Sequence, residues 1–158
     1  IKHPSKPKAI LENVSFAVRG GEILGIAGVE GNGQKELVEC IAGLMKPDTG
    51  RIIIEGKDMS EWTARARRGE GLSHIPEDRY ERGLVRDYTA AMNTILGDHR
   101  QEPYATRFGF LDEDKITKHA AKLIDDYDVR PNSPDVKALS YSGGNAQKLI
   151  VARELERK

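Results

Sequence analysis

The sequence lacks the features that would place it in an oxidising compartment or inside a membrane. It has one cysteine, Cys40, so no internal disulfide can form, and this predicts a reducing compartment. Its apolar runs are short, far below the roughly 20 residues that a membrane-spanning helix needs. Lysine and arginine total 25, as do aspartate and glutamate, so a net charge of zero gives no argument for a nucleic-acid or acidic-membrane partner.

Aromatic residues are scarce too, at 6% of the 158 residues, against 38% hydrophobic and 32% charged residues. These proportions are typical of a soluble globular protein with a modest core, and the length fits one domain. The chain opens at Ile1 with no leader-like segment, which favours a piece excised from a longer protein. The histidines and Cys40 have no metal-ligand spacing, so no metal site is predicted.

The pattern of apolar residues and turn signals predicts an α/β order of elements. Alternating or β-branched runs predict strands, and a 3.6-residue period predicts helices. The acidic residues that open the segment 112–127 suit the start of a helix, because they cap it and complement its dipole. The predicted strands cover residues 10–18, 23–27, 51–55 and 72–75, and the predicted helices cover residues 35–42, 61–68, 89–96, 112–127 and a last segment from about Gly144.

A glycine-rich loop follows the second predicted strand and leads into the first predicted helix. Strand, glycine loop and helix together form the setting in which backbone N–H groups hold phosphate oxygens at a helix start. The spacing of Gly28 and Gly33 matches that of a phosphate-binding loop. The loop consists of Gly28, Val29, Glu30, Gly31, Asn32, Gly33, Gln34, Lys35 and Glu36.

The side chains of this loop differ from those of a catalytic phosphate-binding loop. Gln34 stands where lysine is expected, and Lys35 stands where a magnesium-binding hydroxyl is expected. Loss of the lysine removes about 1.5–3 kcal/mol of charge-assisted hydrogen bonding, and Glu30 and Glu36 add negative charge. Two interpretations stay open at this point: a phosphate-binding loop with little catalytic power, and a glycine turn without a ligand.

A second candidate segment lies just before the last predicted helix. Its residues are Ser142, Gly143, Gly144 and Asn145. A serine and two glycines at a helix start present hydroxyl and N–H donors outward, which forms an anion-accepting terminus. The alternative interpretation is an ordinary serine N-cap after a turn.

Taken in chain order, these segments resemble the ATP-binding domain of an ABC transporter. Three phrases are more specific: Ile-Pro-Glu-Asp-Arg at residues 75–79, Arg-Gly-Leu-Val at residues 82–85 and Asn-Ala-Gln-Lys at residues 145–148. They resemble the second of two fused ATPase domains in bacterial importers for simple sugars and nucleosides. The resemblance spans nearly the whole chain, and the glycine loop is most similar to the nucleoside branch.

The resemblance implies an α/β P-loop NTPase fold of the ABC ATPase type, with an antiparallel β part and an inserted helical subdomain at about residues 88–142. Residues 1–158 would form a partial ATP-binding domain with an incomplete core. The family's next elements, which follow the last helix, carry a magnesium-liganding aspartate, a catalytic glutamate and a histidine, so no catalytic residue or metal ligand is assigned here. An adenine-stacking aromatic is expected near the start, where His3 is the only ring.

The resemblance also implies roles for the two candidate segments. Residues 28–36 would be a degenerate Walker A loop that binds ATP, with Mg²⁺ in the parent protein. Glu77 occupies the position of a glutamine that senses the γ-phosphate, magnesium and the membrane subunit. Ser142, Gly143, Gly144 and Asn145 would be the signature, which closes over the nucleotide of the partner domain, and Tyr141 stands where leucine is more usual.

The function implied is ATP-driven import of simple sugars or nucleosides at the cytoplasmic face of the bacterial inner membrane. The implied partners are a second ATP-binding domain in the same parent chain, the membrane-spanning permease subunits and, indirectly, a solute-binding protein, but not nucleic acid. Two alternatives remain: a scaffold domain that docks on the membrane subunits without binding nucleotide, and a soluble ABC ATPase with no role in transport. The chain alone is expected to be inactive.

Overall fold

The computed structural model describes residues 10–157, in which the chain divides into two compact units. The first unit ends at Leu72, and the second begins at Ser73. His3, the candidate adenine-stacking ring, lies outside the described residues. Within residues 10–157, every helix is too short or too polar to cross a bilayer.

The first unit contains two helices and one pair of short strands. Helix α1 covers Gln34–Ala42, and helix α2 covers Ala64–Gly69, which agree with the helices predicted at 35–42 and 61–68. Strand β1, Ile53–Ile54, pairs antiparallel with strand β2, Lys57–Asp58. The two residues between these strands both have positive φ, 51° at Glu55 and 75° at Gly56, as a tight hairpin turn requires.

Three of the predicted strands are not formed. Residues 10–18, 23–27 and 72–75 have no strand structure, and the strand predicted at 51–55 is reduced to β1; within residues 10–157, β1 and β2 are the only strands. A strand exists only when a neighbouring segment accepts its hydrogen bonds, and alternation in sequence does not supply that neighbour. The side chains of residues 12–31 are exposed instead, up to 97% at Ile23.

A buried arginine joins the two helices of the first unit. Arg67 of α2 is 1% exposed, and its guanidinium donates hydrogen bonds to the carbonyl oxygens of Cys40 at 2.6 Å and Ile41 at 2.7 Å. A third bond, at 3.2 Å, reaches the carbonyl of Ser60. The last carbonyls of a helix lack the next turn's N–H groups, so Arg67 supplies a donor to Ile41. It also adds a second donor to Cys40, whose carbonyl accepts the N–H of Gly43 at 3.2 Å. Burial lowers the pKa of Arg67.

The second unit is helical and contains the larger core. Helix α3 covers Ala90–Thr94, α4 covers Glu113–Asp126 and α5 covers Gly143–Leu155, which confirms the last three predicted helices with shifted ends. A π-helical turn, Arg79–Gly83, and a 3₁₀ turn, Ala138–Ser140, pack beside them. The main core buries Leu84, Ala90, Ile124, Val129, Ala138, Tyr141, Ala146, Leu149 and Ile150.

A buried ion pair fixes α5 within this core. Arg153 and Glu154 are 6% and 2% exposed, and Nε of Arg153 lies 2.9 Å from Oε1 of Glu154. The same guanidinium donates from Nη1 to the carbonyls of Gly83 at 2.8 Å and Asn93 at 3.3 Å. The other carboxylate oxygen of Glu154 accepts the backbone N–H of His74 at 3.4 Å. Arg153 therefore connects α5 to the π-helical turn and to α3.

The start of α4 makes the second unit sensitive to acid. Asp112 accepts the N–H of Lys115, and its pKa is lowered by that backbone bond and by the Lys115 side chain 3.0 Å away. A carboxyl whose folded-state pKa is depressed stabilises the fold above its unfolded value, about 3.9, and loses this contribution as pH falls through the folded value. We therefore expect Asp112→Asn to be less stable than the wild type at pH 7 and equally stable at the acid end of the transition.

Urea unfolding at several pH values measures this difference, and Asp135→Asn is the control because Asp135 is exposed and lies outside the helices. A difference between wild type and Asp112→Asn that stays constant with pH would show that the charge of Asp112 has no part in the capping.

Candidate functional site

The glycine loop lies at the surface of the first unit and ends at the start of α1. Gly33 is the N-cap of α1 with φ 98°, a left-handed conformation that glycine adopts without strain, and its carbonyl accepts the N–H of Leu37 at 2.9 Å. Residues 28–32 are exposed, and Val29 is 74% exposed. The predicted residues 28–36 are therefore brought together as one loop and the first turn of a helix.

The side chain of Gln34 folds back over this loop. Its amide Nε2 donates to the carbonyl oxygen of Val29 at 3.0 Å. A Cβ atom on Gly28 would lie only 2.0 Å from the same Nε2, so Gly28 leaves the space that the amide fills. A phosphate that entered the loop beside Gly28 would have to displace the Gln34 amide.

The charged residues of the loop do not place a positive charge where the missing lysine would put one. Lys35 is exposed, and its position lies about 100° further round the helix than that of Gln34. Glu36 is in the first turn of α1, where a carboxylate suits the helix dipole but repels phosphate. The loop thus offers backbone N–H groups and a neutral amide to an anion, next to a negative charge.

The second candidate segment, Ser142–Asn145, lies in the second unit and forms the start of α5. Ser142 is the N-cap, and its Oγ accepts from the side-chain Nδ2 of Asn145 at 3.0 Å and from the Asn145 backbone N–H at 3.5 Å. The carbonyl of Ser142 accepts the N–H of Ala146 at 2.9 Å. The serine N-cap predicted from sequence is present.

A backbone bond fixes the orientation of the Asn145 amide. Oδ1 of Asn145 accepts the N–H of Arg130 at 2.8 Å, so Nδ2 is the atom that faces Ser142. Because both of these contacts use Ser142 Oγ as an acceptor, the hydroxyl proton is left to be donated to another acceptor. The Asn145 side chain therefore links the backbone of Arg130 to the hydroxyl of Ser142.

Tyr141 anchors the segment from its other side. Its ring is 4% exposed and belongs to the main core, and burial raises the pKa of its hydroxyl. That hydroxyl lies 3.4 Å from the carbonyls of Pro131 and Ser133, to which it donates. The backbone carbonyl of Tyr141 accepts the hydroxyl of Tyr80 at 3.0 Å.

No role was predicted for Tyr80 or Arg130, although both form hydrogen bonds that hold this segment in place. Tyr80 directly follows the Ile-Pro-Glu-Asp-Arg phrase at residues 75–79, and that proximity was the only available signal. Glu77, the other predicted site residue, is exposed and directly precedes Asp78, the N-cap of the π-helical turn.

The start of α5 can accept an anion. Ser142 is exposed and has a hydroxyl proton to donate, and the first N–H groups of a helix have no partner within it. Apart from the neighbouring residues and the backbone of α5, no atom of residues 10–157 lies within 4 Å of where a Cβ atom on Gly144 would be, so the approach to Gly144 is open on this side. An outside phosphate group therefore finds donors and free space at this helix start.

Comparison with known proteins gives a family and several relatives. A model of the family described as ABC transporter matches residues 11–158. The chain is 44% identical over 147 residues to the nucleoside import ATP-binding protein NupA of Lactococcus lactis, covering 93% of this chain and 29% of that protein. It is 42% identical over 147 residues to the guanosine import ATP-binding protein NupO of Bacillus subtilis, with the same coverage.

A more distant relative is the ribose import ATP-binding protein RbsA of Geobacillus kaustophilus, 35% identical over 148 residues, covering 94% of this chain and 29% of that protein. The chain thus spans about 29% of the length of these curated relatives.

Two solved structures share the fold. One is a dimeric ATP-binding cassette in a post-hydrolysis state with ADP and Pi, with a TM-score of 0.79 and 21% identity, covering 98% of this chain and 65% of that one. The other is a nucleotide-free cassette of an ABC transporter, with a TM-score of 0.61 and 21% identity, covering 80% of this chain and 51% of that one. The α/β P-loop fold expected from the sequence is confirmed by these likenesses.

Proposed function

Because this chain belongs to the ABC transporter family, we propose that it forms the second ATP-binding domain of an importer subunit that couples ATP hydrolysis to uptake of nucleosides or simple sugars. The substrate class follows the relatives, whose names specify import of nucleosides, guanosine and ribose. In this proposal residues 88–142 form the helical subdomain that docks on the membrane-spanning subunits. The subunit is then peripheral, at the cytoplasmic face of the membrane.

The polarity of the Ser142 hydroxyl is the observation that best supports this function. Asn145 donates to Ser142 Oγ, so the exposed hydroxyl has its proton available, and Gly144 beside it is open. A phosphate group carries only acceptors and suits these donors. We propose that Ser142, Gly143 and Gly144 act in trans, as the signature that contacts the γ-phosphate of an ATP molecule held by the partner domain.

The glycine loop has a different role in this proposal. Its backbone N–H groups bind ATP with Mg²⁺, but phosphoryl transfer needs a lysine and a metal on the transferring group. Gln34 supplies no charge and bonds to the Val29 carbonyl, and Glu36 repels phosphate. Residues 28–36 therefore form a site that holds nucleotide without hydrolysing it efficiently. Glu77 stands at the position that communicates with the membrane subunits.

Gly144→Ala is the sharpest test of the trans role. Outside the backbone of α5 and the chain neighbours, alanine at this helical position meets no atom of the described residues, so the free energy of unfolding should stay constant or rise by about 0.5–1 kcal/mol. In the assembled importer, the added methyl group obstructs the nucleotide of the partner domain, and we expect ATP hydrolysis to fall about tenfold. Ser142→Ala should fall by a similar factor through loss of one charge-assisted bond.

Gln34→Ala is the matched control, because its side chain lies in the loop that is not expected to hydrolyse, and its effect should be much smaller. Equal losses from Gln34→Ala and Ser142→Ala would contradict the asymmetry. An unchanged rate in Gly144→Ala and Ser142→Ala would contradict the trans role. Titration of ATP and Mg²⁺ against a subunit whose partner loop is disabled tests the remaining point, since absence of binding would favour a scaffold role for this domain.

A further inference from the structure

The guanidinium of Arg79 occupies space beside Gly143 that a side chain would fill. A Cβ atom on Gly143 would lie 2.8 Å from Nη2 of Arg79, 3.0 Å from Cζ and 3.2 Å from Nε. Gly143 is the first residue of α5 and has an ordinary helical position, so its backbone does not require glycine. A side chain at position 143 would have to share this space with the end of the Arg79 side chain, so glycine gives the guanidinium room to lie against α5.

The π-helical turn presents Arg79 in this position. Asp78 accepts the N–H groups of Tyr80 and Glu81, both at 2.9 Å, and these bonds lower the pKa of Asp78. The Tyr80 hydroxyl donates to the carbonyl of Tyr141, the residue before Ser142. The π-helical turn therefore contacts the residue before Ser142 and the residue after it.

Two further contacts orient the guanidinium itself. Nη1 of Arg79 donates to Oε1 of Gln147 at 3.3 Å, one turn further along α5. Cζ of Arg79 lies 5.8 Å from the centre of the Tyr80 ring, within the range of a cation–π contact. Arg79 thus lies between the ring of Tyr80 and the first turn of α5.

At this location the guanidinium lies beside the positive end of a helix and next to the Asp78 carboxylate, which attracts it. The N-terminus of a helix carries a partial positive charge, so a cation beside it is repelled. In addition, Nε of Arg79 is buried and has no hydrogen-bond acceptor among residues 10–157. An anion that binds at the same helix start stabilises a cation held there.

We propose that Arg79 is a positioning residue of the signature: its guanidinium, seated against Gly143, holds the first turn of α5 and adds positive charge where Ser142 and Gly144 receive phosphate. This inference rests on the proposed role of Ser142 and Gly144. It assigns the two signature glycines different tasks, because Gly143 makes room for Arg79 within the chain and Gly144 leaves room for a ligand from outside.

A double-mutant cycle in the assembled importer tests the proposal. Arg79→Ala is expected to lower kcat for ATP hydrolysis about tenfold, with the KM for ATP changed by less than about twofold. Gly143→Ala should have a similar effect, because its methyl group displaces the guanidinium. The double variant should be no worse than either single variant, since both changes remove the same contact. The thermal unfolding temperature should fall only slightly in Arg79→Ala, whereas a purely structural role predicts a fall as large as the loss of rate.

Arg86→Ala is the matched control. Cζ of Arg86 lies 5.9 Å from the centre of the same Tyr80 ring, so this variant removes an equal charge from the same ring and should retain the wild-type rate. A normal rate in Arg79→Ala alongside a reduced rate in Ser142→Ala would overturn the role of Arg79 and leave the signature role intact. A double variant about a hundredfold slower, the product of two independent effects, would also overturn it. A normal rate in Ser142→Ala would overturn the proposed function on which the inference depends.

Discussion

Arg153→Met is expected to lower the free energy of unfolding of the chain by about 3–5 kcal/mol. The side chains of Arg153 and Glu154 are 7% and 1% exposed, so both charges are shielded from water. Removal of the arginine takes away the positive charge that lies 2.9 Å from Oε1 of the buried Glu154 carboxylate. It also removes the donor that serves the carbonyls of Gly83 and Asn93. The measurement is urea unfolding followed by circular dichroism.

Two further variants make this result specific. Lys148→Met removes another cation of α5, but that cation is 45% exposed and pairs with Asp128 at 3.2 Å, so the loss should be at most about 1 kcal/mol. The double variant Arg153→Met with Glu154→Leu should be more stable than Arg153→Met alone, because no charge remains buried. A double variant that is less stable than the single one would mean that Glu154 stabilises the core independently of Arg153.

Arg67→Met is expected to destabilise the first unit by about 2–4 kcal/mol. Methionine fills much of the volume of arginine but cannot donate to the carbonyls of Cys40, Ile41 and Ser60. The Cys40 carbonyl keeps its bond from the N–H of Gly43 at 3.2 Å. The part-buried carbonyls of Ile41 and Ser60, however, lose the Arg67 donor, and a shielded carbonyl without a donor costs free energy. The end of α1 should therefore fray, and amide exchange of its last turn should accelerate.

Arg65→Met is the control, because Arg65 is an exposed arginine on the same helix. We expect a change within about 0.5 kcal/mol for this surface substitution. Equal losses in Arg65→Met and Arg67→Met would point to the helix propensity or charge of α2 and would contradict a role for the three carbonyl bonds.

All the predicted helices are present in the structure, whereas of the four predicted strands only the one at 51–55 is represented, by β1, and this difference has a physical reason. The hydrogen bonds of a helix connect residues four apart, so Asp112 at the start of α4 and the period of its apolar residues carry enough information. The bonds of a strand connect segments that are remote in sequence. The run 23–27 has the composition of a buried strand, but its neighbour cannot be deduced from the run itself.

The candidate site divides in the same way. The serine N-cap of α5 and the glycine loop before α1 are local features, and both were predicted at the correct residues. The orientation of the Asn145 side chain depends on the backbone of Arg130. The position of the Arg79 guanidinium depends on Gly143, which is 64 residues later in the chain. Contacts of this kind arise from tertiary packing, and the residue types alone do not indicate them.

The burial of two arginines could not be predicted from the sequence either. Arg65, Arg67 and Arg68 lie in one basic run, yet only Arg67 is buried, because its position on α2 faces the end of α1. Arg153 follows an apolar stretch and is also buried. In each case the partners include backbone carbonyls, which every residue type carries.

The bonds that run from Arg130 through Asn145 to Ser142 have a fixed direction. A backbone N–H donates to the amide oxygen, the amide nitrogen donates to the hydroxyl, and the hydroxyl is left with a proton to give. Each group in this series accepts one hydrogen bond and donates the next, so the Ser142 hydroxyl at its end donates to a molecule that has lone pairs. A carboxylate at position 145 would reverse the last bond, because a carboxylate only accepts and the Ser142 hydroxyl would then donate its proton to residue 145. The same helix start would then turn a lone pair towards an approaching molecule and discriminate against phosphate.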